Sequence, residues 1–151
     1  MTISLSRDTL PGLAGQSLGV GKWVEVTQDR INDFARASGD FQWIHVDVER
    51  AKEGPFGTTI AHGLLTLSMI NTLSEGMYKF EGFKMGVNYG YEKIRFPAPV
   101  PVNSRLRVAP KILSYEPLNP STYQTIVEFT VELEGSDKPA CVAQMIFRHV
   151  V

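Results

Sequence analysis

Apolar positions recur with a helical period in the first half of the chain. After Thr27, a residue type that often caps helix N-termini, one face at helical spacing carries Ile31, Phe34, Ala35 and Ser38. The opposite face carries Gln28, Asp29, Asn32 and Arg36. Gly39 follows, and glycine adopts a positive φ at little cost. The pattern therefore predicts a helix that starts after Thr27 and ends at Gly39.

A longer helix is predicted from Gly63 to about Tyr78. Most of its circumference is covered by apolar residues, namely Leu64, Leu65, Leu67, Met69, Ile70, Leu73 and Met77. A helix that is apolar nearly all round belongs inside a fold, wrapped by other elements. Between the two helices we expect a loop from Asp40 to Asp47. Asp47 is then expected to cap one more helical turn, from Val48 to Lys52.

After Gly82 the apolar period changes to two, as in half-buried strands. The predicted strands run from Phe83 to Phe96 with a bulge between Tyr91 and Ile94, from Arg105 to Lys111, from Tyr123 to Leu133 and from Ala140 to Val150. Pro117 and Pro120 predict a turn between the second and third of them. Residues 1–20 indicate an irregular leader or a short helix, and residues 22–26 a short strand. This order of elements predicts an α+β fold in which an antiparallel sheet wraps around one long central helix.

The composition narrows the class of protein. The chain has 151 residues, of which 43% are hydrophobic and 21% charged, as in one packed domain spanning residues 1–151. A formal net charge of −1 argues against binding to nucleic acid. The single cysteine, Cys141, excludes an internal disulfide and a multi-cysteine zinc site, and we expect it to be an inert core residue. No segment resembles a signal peptide or a membrane span, so we expect a cytoplasmic protein with no membrane contact.

The candidate chemistry is concentrated around two of the three histidines. Asp40 and His45 share the predicted loop with Phe41, Trp43 and Ile44, whose side chains can exclude water. A carboxylate and an imidazole in such a place can hold one water between them and exchange protons with it. Gly63 begins the long helix, so its backbone N–H is unpaired and can polarise a ligand oxygen. These groups together suit proton transfer next to a carbonyl. The third histidine, His149, is expected at the surface or with its hydrogen bonds satisfied.

Four motifs carry a family resemblance. They are Gly39-Asp40-x4-His45-x-Asp47, Gly54-Pro55-Phe56-Gly57, Ile60-Ala61-His62-Gly63 and Arg95-Phe96-Pro97-Ala98-Pro99-Val100. With them the chain resembles, over nearly its whole length, the MaoC-type hydratase/dehydratase family, the (R)-specific enoyl-CoA hydratases with a hot-dog fold. Within that family it is most similar to the single-domain bacterial members grouped with nodulation protein N.

The resemblance implies a hydro-lyase that adds water to a trans-2-enoyl thioester to give the (R)-3-hydroxyacyl thioester, or runs the reverse reaction. Asp40 and His45 would hold the catalytic water, with His45 as the base and Asp40 as the acid. The Gly63 N–H would bind the thioester oxygen. No cofactor or metal is implied, because CoA or acyl carrier protein is only the carrier of the substrate. The family also implies a homodimer with one continuous sheet.

The same region contains three further candidate residues, Gln42, Trp43 and His62. Many family members have Asn-Pro where this chain has Gln42-Trp43. Gln42 would replace the asparagine amide in bracing the loop beside the substrate, and Trp43 would narrow or reshape the acyl tunnel. His62 is expected to help cap the helix or to hydrogen-bond a backbone carbonyl, with direct substrate binding as the alternative.

Two other functions remain open. A thioesterase can be built on the same fold. It needs an acid on the long helix, where Glu75 is the only carboxylate and lies about three turns from Gly63. A non-catalytic acyl-thioester-binding subunit is the other alternative. It would be favoured if Asp40 and His45 pointed away from a common cavity.

Overall fold

A computed structural model describes residues 1–151. Five strands form one antiparallel sheet, namely β2 (Val24–Glu25), β4 (Met85–Arg95), β5 (Arg105–Asn119), β6 (Thr122–Leu133) and β7 (Cys141–Val150). Their spatial order in the sheet is β2-β5-β6-β7-β4. A separate pair of short parallel strands consists of β1 (Ile3–Leu5) and β3 (Tyr78–Phe80). The curled antiparallel sheet and its few helices confirm the predicted α+β class.

The helices lie before the four long strands in the chain. They are α1 (Leu10–Leu13), α2 (Gln28–Ser38), α3 (Trp43–Val46), α4 (Val48–Lys52), α5 (Gly63–Ser68) and α6 (Ile70–Leu73). The limits predicted for α2 are confirmed: Thr27 accepts a hydrogen bond from the Arg30 N–H, and Gly39 ends the helix with a φ of 80°. Asp47 caps α4 as expected, through a bond from the Arg50 N–H. No helix combines the length and the apolar character needed to cross a membrane.

The prediction of a single long helix from Gly63 to about Tyr78 is wrong in the length of the helix and in the extent of its burial. In the structure this segment is divided at Met69 into α5 and α6, and α6 ends at Leu73. Gly76, with a φ of 76°, then turns the chain into β3. Leu64 at the start of α5 is 60% exposed, so the sheet encloses only part of the helix circumference.

The core fills the space between α5, α6 and the concave face of the sheet. From the helices it contains Leu65, Met69, Ile70 and Leu73, and from the sheet Val108, Ile112, Val127, Phe129, Ala143 and Met145. Cys141 is fully buried in this core, as predicted. Its burial raises the thiol pKa to about 11, which keeps the group protonated.

β5 is longer than the sequence indicated because it continues through Pro110 and Pro117 up to Asn119. A proline weakens a strand by lacking an N–H to donate. The segment before β2 lies beside this part of β5, and the Leu18 N–H donates to the Pro110 carbonyl oxygen at 2.9 Å. This hydrogen bond uses the carbonyl group of Pro110 and does not require an N–H from it.

The other side of the sheet ends at β4. This strand pairs with β7, and the register shifts between Tyr91 and Lys93, which confirms the predicted bulge. A second shift lies between Asn88 and Gly90. The opposite edge of β4 has no strand beside it.

His149 differs from the expectation. It is buried at the end of β7 with 1% exposure, and neither ring nitrogen has a hydrogen-bond partner within the chain. Phe80 and Phe83 cover the ring, with centroid distances of 4.2 and 4.6 Å. This burial lowers the pKa of His149 to about 4. The sequence pattern did not show this burial, because Phe80 lies on a strand of only three residues and Phe83 lies outside any strand.

Candidate active site

His45 lies on the short helix α3, and the region from Asp40 to Asp47 is therefore not the continuous loop that was predicted. The Asp47 N–H closes the helical turn by donating to the Trp43 carbonyl at 3.0 Å. The His45 ring is buried, and its Nδ1 lies 2.7 Å from the carbonyl oxygen of Ile60. A carbonyl oxygen can only accept, so Nδ1 carries the proton. Nε2 consequently keeps its lone pair, as a general base requires.

The surroundings of His45 also favour its neutral form. Burial is the largest influence and lowers the pKa of this imidazole below its ordinary value of 6.5. The bond to Ile60 and the charge of Asp40 act in the opposite direction, while His62 adds to the lowering. The net effect keeps His45 able to accept a proton near neutral pH.

Asp40 follows the glycine that ends α2, so the helix terminus sets its position. Its carboxylate oxygen Oδ1 accepts a hydrogen bond from the Gln42 N–H at 3.2 Å, and its side chain is exposed. One oxygen of this carboxylate and one ring nitrogen from each of His45 and His62 lie within 4.8 Å of one another. The structure thus brings the predicted acid and base together.

His62 lies immediately before α5 and does not cap it with its side chain. Its Nε2 lies 3.0 Å from the backbone carbonyl oxygen of Asp40, so Nε2 carries the proton and donates it. This contact agrees with the expected bond to a backbone carbonyl. The other nitrogen, Nδ1, is buried without a partner within the chain. The ring stacks on His45 with centroids 3.8 Å apart and an interplanar angle of 23°.

The same stacking bears on metal binding by these three residues. A ring nitrogen binds a metal through a lone pair that lies in the ring plane. Because the two imidazole rings are nearly parallel and stacked, their lone pairs run side by side and do not converge on one ion. Asp40, His45 and His62 are close enough for a metal site but are not oriented as one.

A cavity of about 340 Å³ connects the base to the predicted oxyanion donor. Its lining includes His45, Gly63, Thr66, Phe56, Phe96 and Val100. Gly63 is the first residue of α5, so its N–H has no partner inside the helix. A Cβ atom at this position would lie 3.1 Å from the ring of Phe96. Glycine therefore leaves the N–H accessible beside an apolar wall.

The roles expected for Gln42 and Trp43 are not supported. The Gln42 side chain makes no hydrogen bond within the chain, and the loop is braced by its backbone N–H. Trp43 does not line the cavity, because its ring packs against Gly54 and under the Arg50 guanidinium, 4.3 Å from the ring centroid. Phe56 and Phe96 are the large side chains that limit the cavity instead.

Gln28 is a residue of this site that the sequence pattern missed. Its Nε2 donates to the His45 carbonyl oxygen at 2.8 Å, and its Oε1 accepts from the Thr59 hydroxyl at 2.6 Å. The Ile60 N–H also donates to the Ile44 carbonyl at 3.0 Å. These bonds connect α3, which carries His45, to α2 and to the segment before α5.

Comparisons with known proteins find a family model and relatives that cover most of the chain. The MaoC like domain matches residues 10–131. The 3-hydroxyacyl-thioester dehydratase Z of Mycobacterium tuberculosis is 53% identical over 141 residues, which cover 93% of this chain and 93% of the relative. Nodulation protein N of Rhizobium meliloti is 41% identical over 144 residues, or 94% of this chain and 89% of that protein.

Solved structures support the fold. The R-hydratase of Pseudomonas aeruginosa in its unliganded form superposes with a TM-score of 0.72 at 22% identity, covering 89% of this chain and 79% of that one. At this identity the likeness concerns the fold alone. It confirms the predicted hot-dog architecture.

Proposed function

The chain belongs to the MaoC like domain family, and we propose that its Asp40–His45 pair catalyses the reversible hydration of trans-2-enoyl thioesters to (R)-3-hydroxyacyl thioesters. The chain is a hydro-lyase, an assignment that rests on its similarity to the mycobacterial dehydratase. One observation carries the proposal for the site. The base His45 and the donor Gly63 line a single cavity, and the Asp40 carboxylate lies within 4.8 Å of the His45 ring.

In the hydration direction, a water held between Asp40 and His45 attacks C3 of the enoyl group. His45 Nε2 takes a proton from this water as the new C–O bond forms. Asp40 starts this step in its protonated form and gives its proton to C2, so the elements of water are added across the double bond. Transfer of the proton from His45 back to Asp40 then restores the pair.

Gly63 acts on the other end of the reacting system. Negative charge develops on the thioester oxygen as C3 is attacked. The Gly63 N–H at the start of α5 points its dipole at this charge, and the apolar cavity wall strengthens the interaction. Loss of one such donor costs on the order of 3 kcal/mol of barrier in other enzymes.

Thioester hydrolysis has less support from the geometry. Glu75, the only carboxylate in the segment predicted as the long helix, lies beyond the end of α6 and lines a different surface depression, together with Met1 and Met77. A passive binding role has less support too, because the Asp40 carboxylate lies within 4.8 Å of a ring nitrogen of His45, although Asp40 is not among the residues that line the cavity.

We propose that the reaction uses no cofactor and no metal, since each step is a proton transfer or an addition of water. The substrate is an acyl thioester carried by CoA or acyl carrier protein. Residues 1–151 would act as one domain, because β7, which follows the family match, pairs with both β4 and β6. A cytoplasmic location is part of the same proposal.

We also propose that two copies pair through β4 into a homodimer. β4 is an edge strand of 11 residues whose outer edge is unpaired. Its exposed apolar residues are Met85, Val87 and Tyr89. Long apolar edges are normally covered, since their free N–H and C=O groups promote association. A second β4 would supply partners for these groups.

A spectroscopic assay tests the function. The purified chain is mixed with crotonyl-CoA or trans-2-octenoyl-CoA, and enoyl absorbance and thiol release are followed together. We expect absorbance to fall without thiol release, and the product to be the (R)-3-hydroxyacyl-CoA. Thiol release would instead identify a thioesterase, and no change in either signal would identify a binding protein. Activity that persists after dialysis against EDTA is expected for a metal-free reaction.

A further inference from the structure

His62 contacts both members of the proposed catalytic pair. Its Nε2–H donates to the backbone carbonyl oxygen of Asp40 at 3.0 Å, and its ring stacks on His45 at 3.8 Å. The ring is 3% exposed, and Phe34 from α2 packs against it with a centroid distance of 4.9 Å. The side chain is therefore held in place by α2 while it touches the two elements that bear the acid and the base.

Building on the proposed function, we propose that His62 is a positioning residue that sets the placement of Asp40 relative to His45. The hydrogen bond holds the backbone of Asp40 next to a buried ring, although the Asp40 side chain itself is exposed. The stack gives the His45 ring a flat support on one face, while the bond to Ile60 fixes its in-plane rotation. Misplacement of a catalytic group by about 1 Å can cost roughly a hundredfold in rate.

The unpaired nitrogen of His62 supports a role beyond packing. Nδ1 is buried with no partner within the chain, and a buried polar atom left unpaired costs free energy, typically about 1–3 kcal/mol. A side chain that only filled space here would avoid this cost as phenylalanine or leucine. The feature that imidazole adds is the Nε2–H donor to Asp40.

His62 also influences the protonation of His45. The stacked His62 ring disfavours a positive charge on His45 and contributes to the lowered pKa of His45. A change at residue 62 should therefore move the pH at which His45 becomes protonated. A purely structural role would not produce this effect.

Two variants separate the contacts of His62. His62→Gln keeps an N–H donor near the position of Nε2 but lacks the ring, whereas His62→Phe keeps a flat ring but lacks the donor. His149→Phe is the matched control, since it makes the same replacement at a buried histidine outside the site. The measurements are kcat and KM with crotonyl-CoA, the pH profile of kcat/KM and the melting temperature.

We expect His62→Phe to lower kcat by at least about tenfold with little change in KM. His62→Gln should recover much of this loss, and the control should keep the wild-type kcat. In both His62 variants the acid limb of kcat/KM should move to higher pH. A wild-type kcat in folded His62→Phe, or higher activity in His62→Phe than in His62→Gln, would overturn the proposal. If His62→Phe does not fold, an unshifted acid limb in His62→Gln overturns it.

A measurement without turnover keeps this inference separate from the proposed function. The chain has three histidines, so NMR can follow each imidazole as the pH changes. We expect a higher pKa for His45 in His62→Gln than in the wild type, and an unchanged value would contradict the proposal. A wild type that is inactive on enoyl thioesters but shows this shift would refute the proposed function alone.

Discussion

The side-chain amide of Gln28 donates a hydrogen bond of 2.8 Å to the backbone carbonyl oxygen of His45, 17 residues further along the chain. The same amide accepts from the hydroxyl group of Thr59, which is 1% exposed. One residue at the start of α2 thus connects the helix that bears His45 to the segment whose Ile60 carbonyl orients the imidazole ring. The base is positioned by a network that spans three elements.

Replacement of Gln28 should test this network. Gln28→Ala removes a donor and an acceptor and leaves the Thr59 hydroxyl buried without its partner. We expect a loss of about 1–3 kcal/mol in unfolding free energy and a lower kcat. Asn32→Ala is the control, because the Asn32 side chain hydrogen-bonds only to the Gln28 amide and makes no hydrogen bond to the His45 segment. Equal kcat values in the two variants, measured beside urea unfolding curves, would contradict a positioning role for Gln28.

The catalytic pair itself should respond to isosteric changes. Asp40→Asn and His45→Gln keep the size of each side chain but remove its ability to exchange a proton. General acid–base groups contribute about 10²–10⁴-fold, so we expect each variant to lose at least about a hundredfold in kcat. Circular dichroism should show an unchanged fold. Turnover near the wild-type rate in either variant would refute the role given to that residue.

A side chain at position 63 should lower the activity. A Cβ atom would lie 3.1 Å from the Phe96 ring and beside the N–H that is assigned to the thioester oxygen. We expect Gly63→Ala to lower kcat by about ten- to a hundredfold while the fold is retained. Gly12→Ala is a suitable control, because nothing lies within 4 Å of its added Cβ. Full activity of Gly63→Ala with crotonyl-CoA would argue against the oxyanion role.

Features that depend on neighbouring residues were predictable from the sequence. The cap at Thr27 and the glycine at position 39 act within one helical turn, and the alternation in β6 follows directly from one buried sheet face. The motif around Asp40, His45 and Gly63 indicated the members of the site for the same reason. Their proximity followed from the resemblance to a family, since no local pattern brings residues 40 and 62 together.

Features that depend on distant contacts were missed. Gln28 falls on the polar face of α2 in the sequence, but its hydrogen bond to Thr59, 31 residues away, makes it a partly buried link. Trp43 was expected in the acyl tunnel because of its position in the motif. Its ring instead packs under the guanidinium of Arg50 and against Gly54, which has no side chain to block it. In each case the partner lies outside the helix that carries the residue, so the periodicity of that helix gives no information about the contact.

The β4 edge gives a prediction for assembly. We expect the wild-type chain to sediment with twice the mass of one chain, and Val87→Lys to shift it towards the monomer because a buried lysine opposes edge pairing. Val48→Lys is the matched control: Val48 is 45% exposed and Val87 43%, but Val48 lies on α4. Dissociation by both variants, or by neither, in sedimentation velocity would count against pairing through β4.

His149 gives a prediction for stability. Its pKa is about 4 in the folded chain, where burial disfavours the charged ring, against an ordinary value of 6.5 in the unfolded chain. Between these values the unfolded state binds more protons, so stability falls as the pH decreases from 6.5 to 4 and is not affected by this group above that range. A difference of this size corresponds to about 3 kcal/mol.

His149→Phe should remove this dependence, since phenylalanine carries no titratable group among Phe80, Phe83 and Phe147. Urea unfolding at pH 7 and pH 4 measures it. The wild type should lose about 3 kcal/mol more than the variant between the two values. The difference between the two pH values is the informative quantity, because a change in packing shifts stability equally at both. Parallel losses in the two proteins would mean that His149 is protonated, or reached by water, in the folded state.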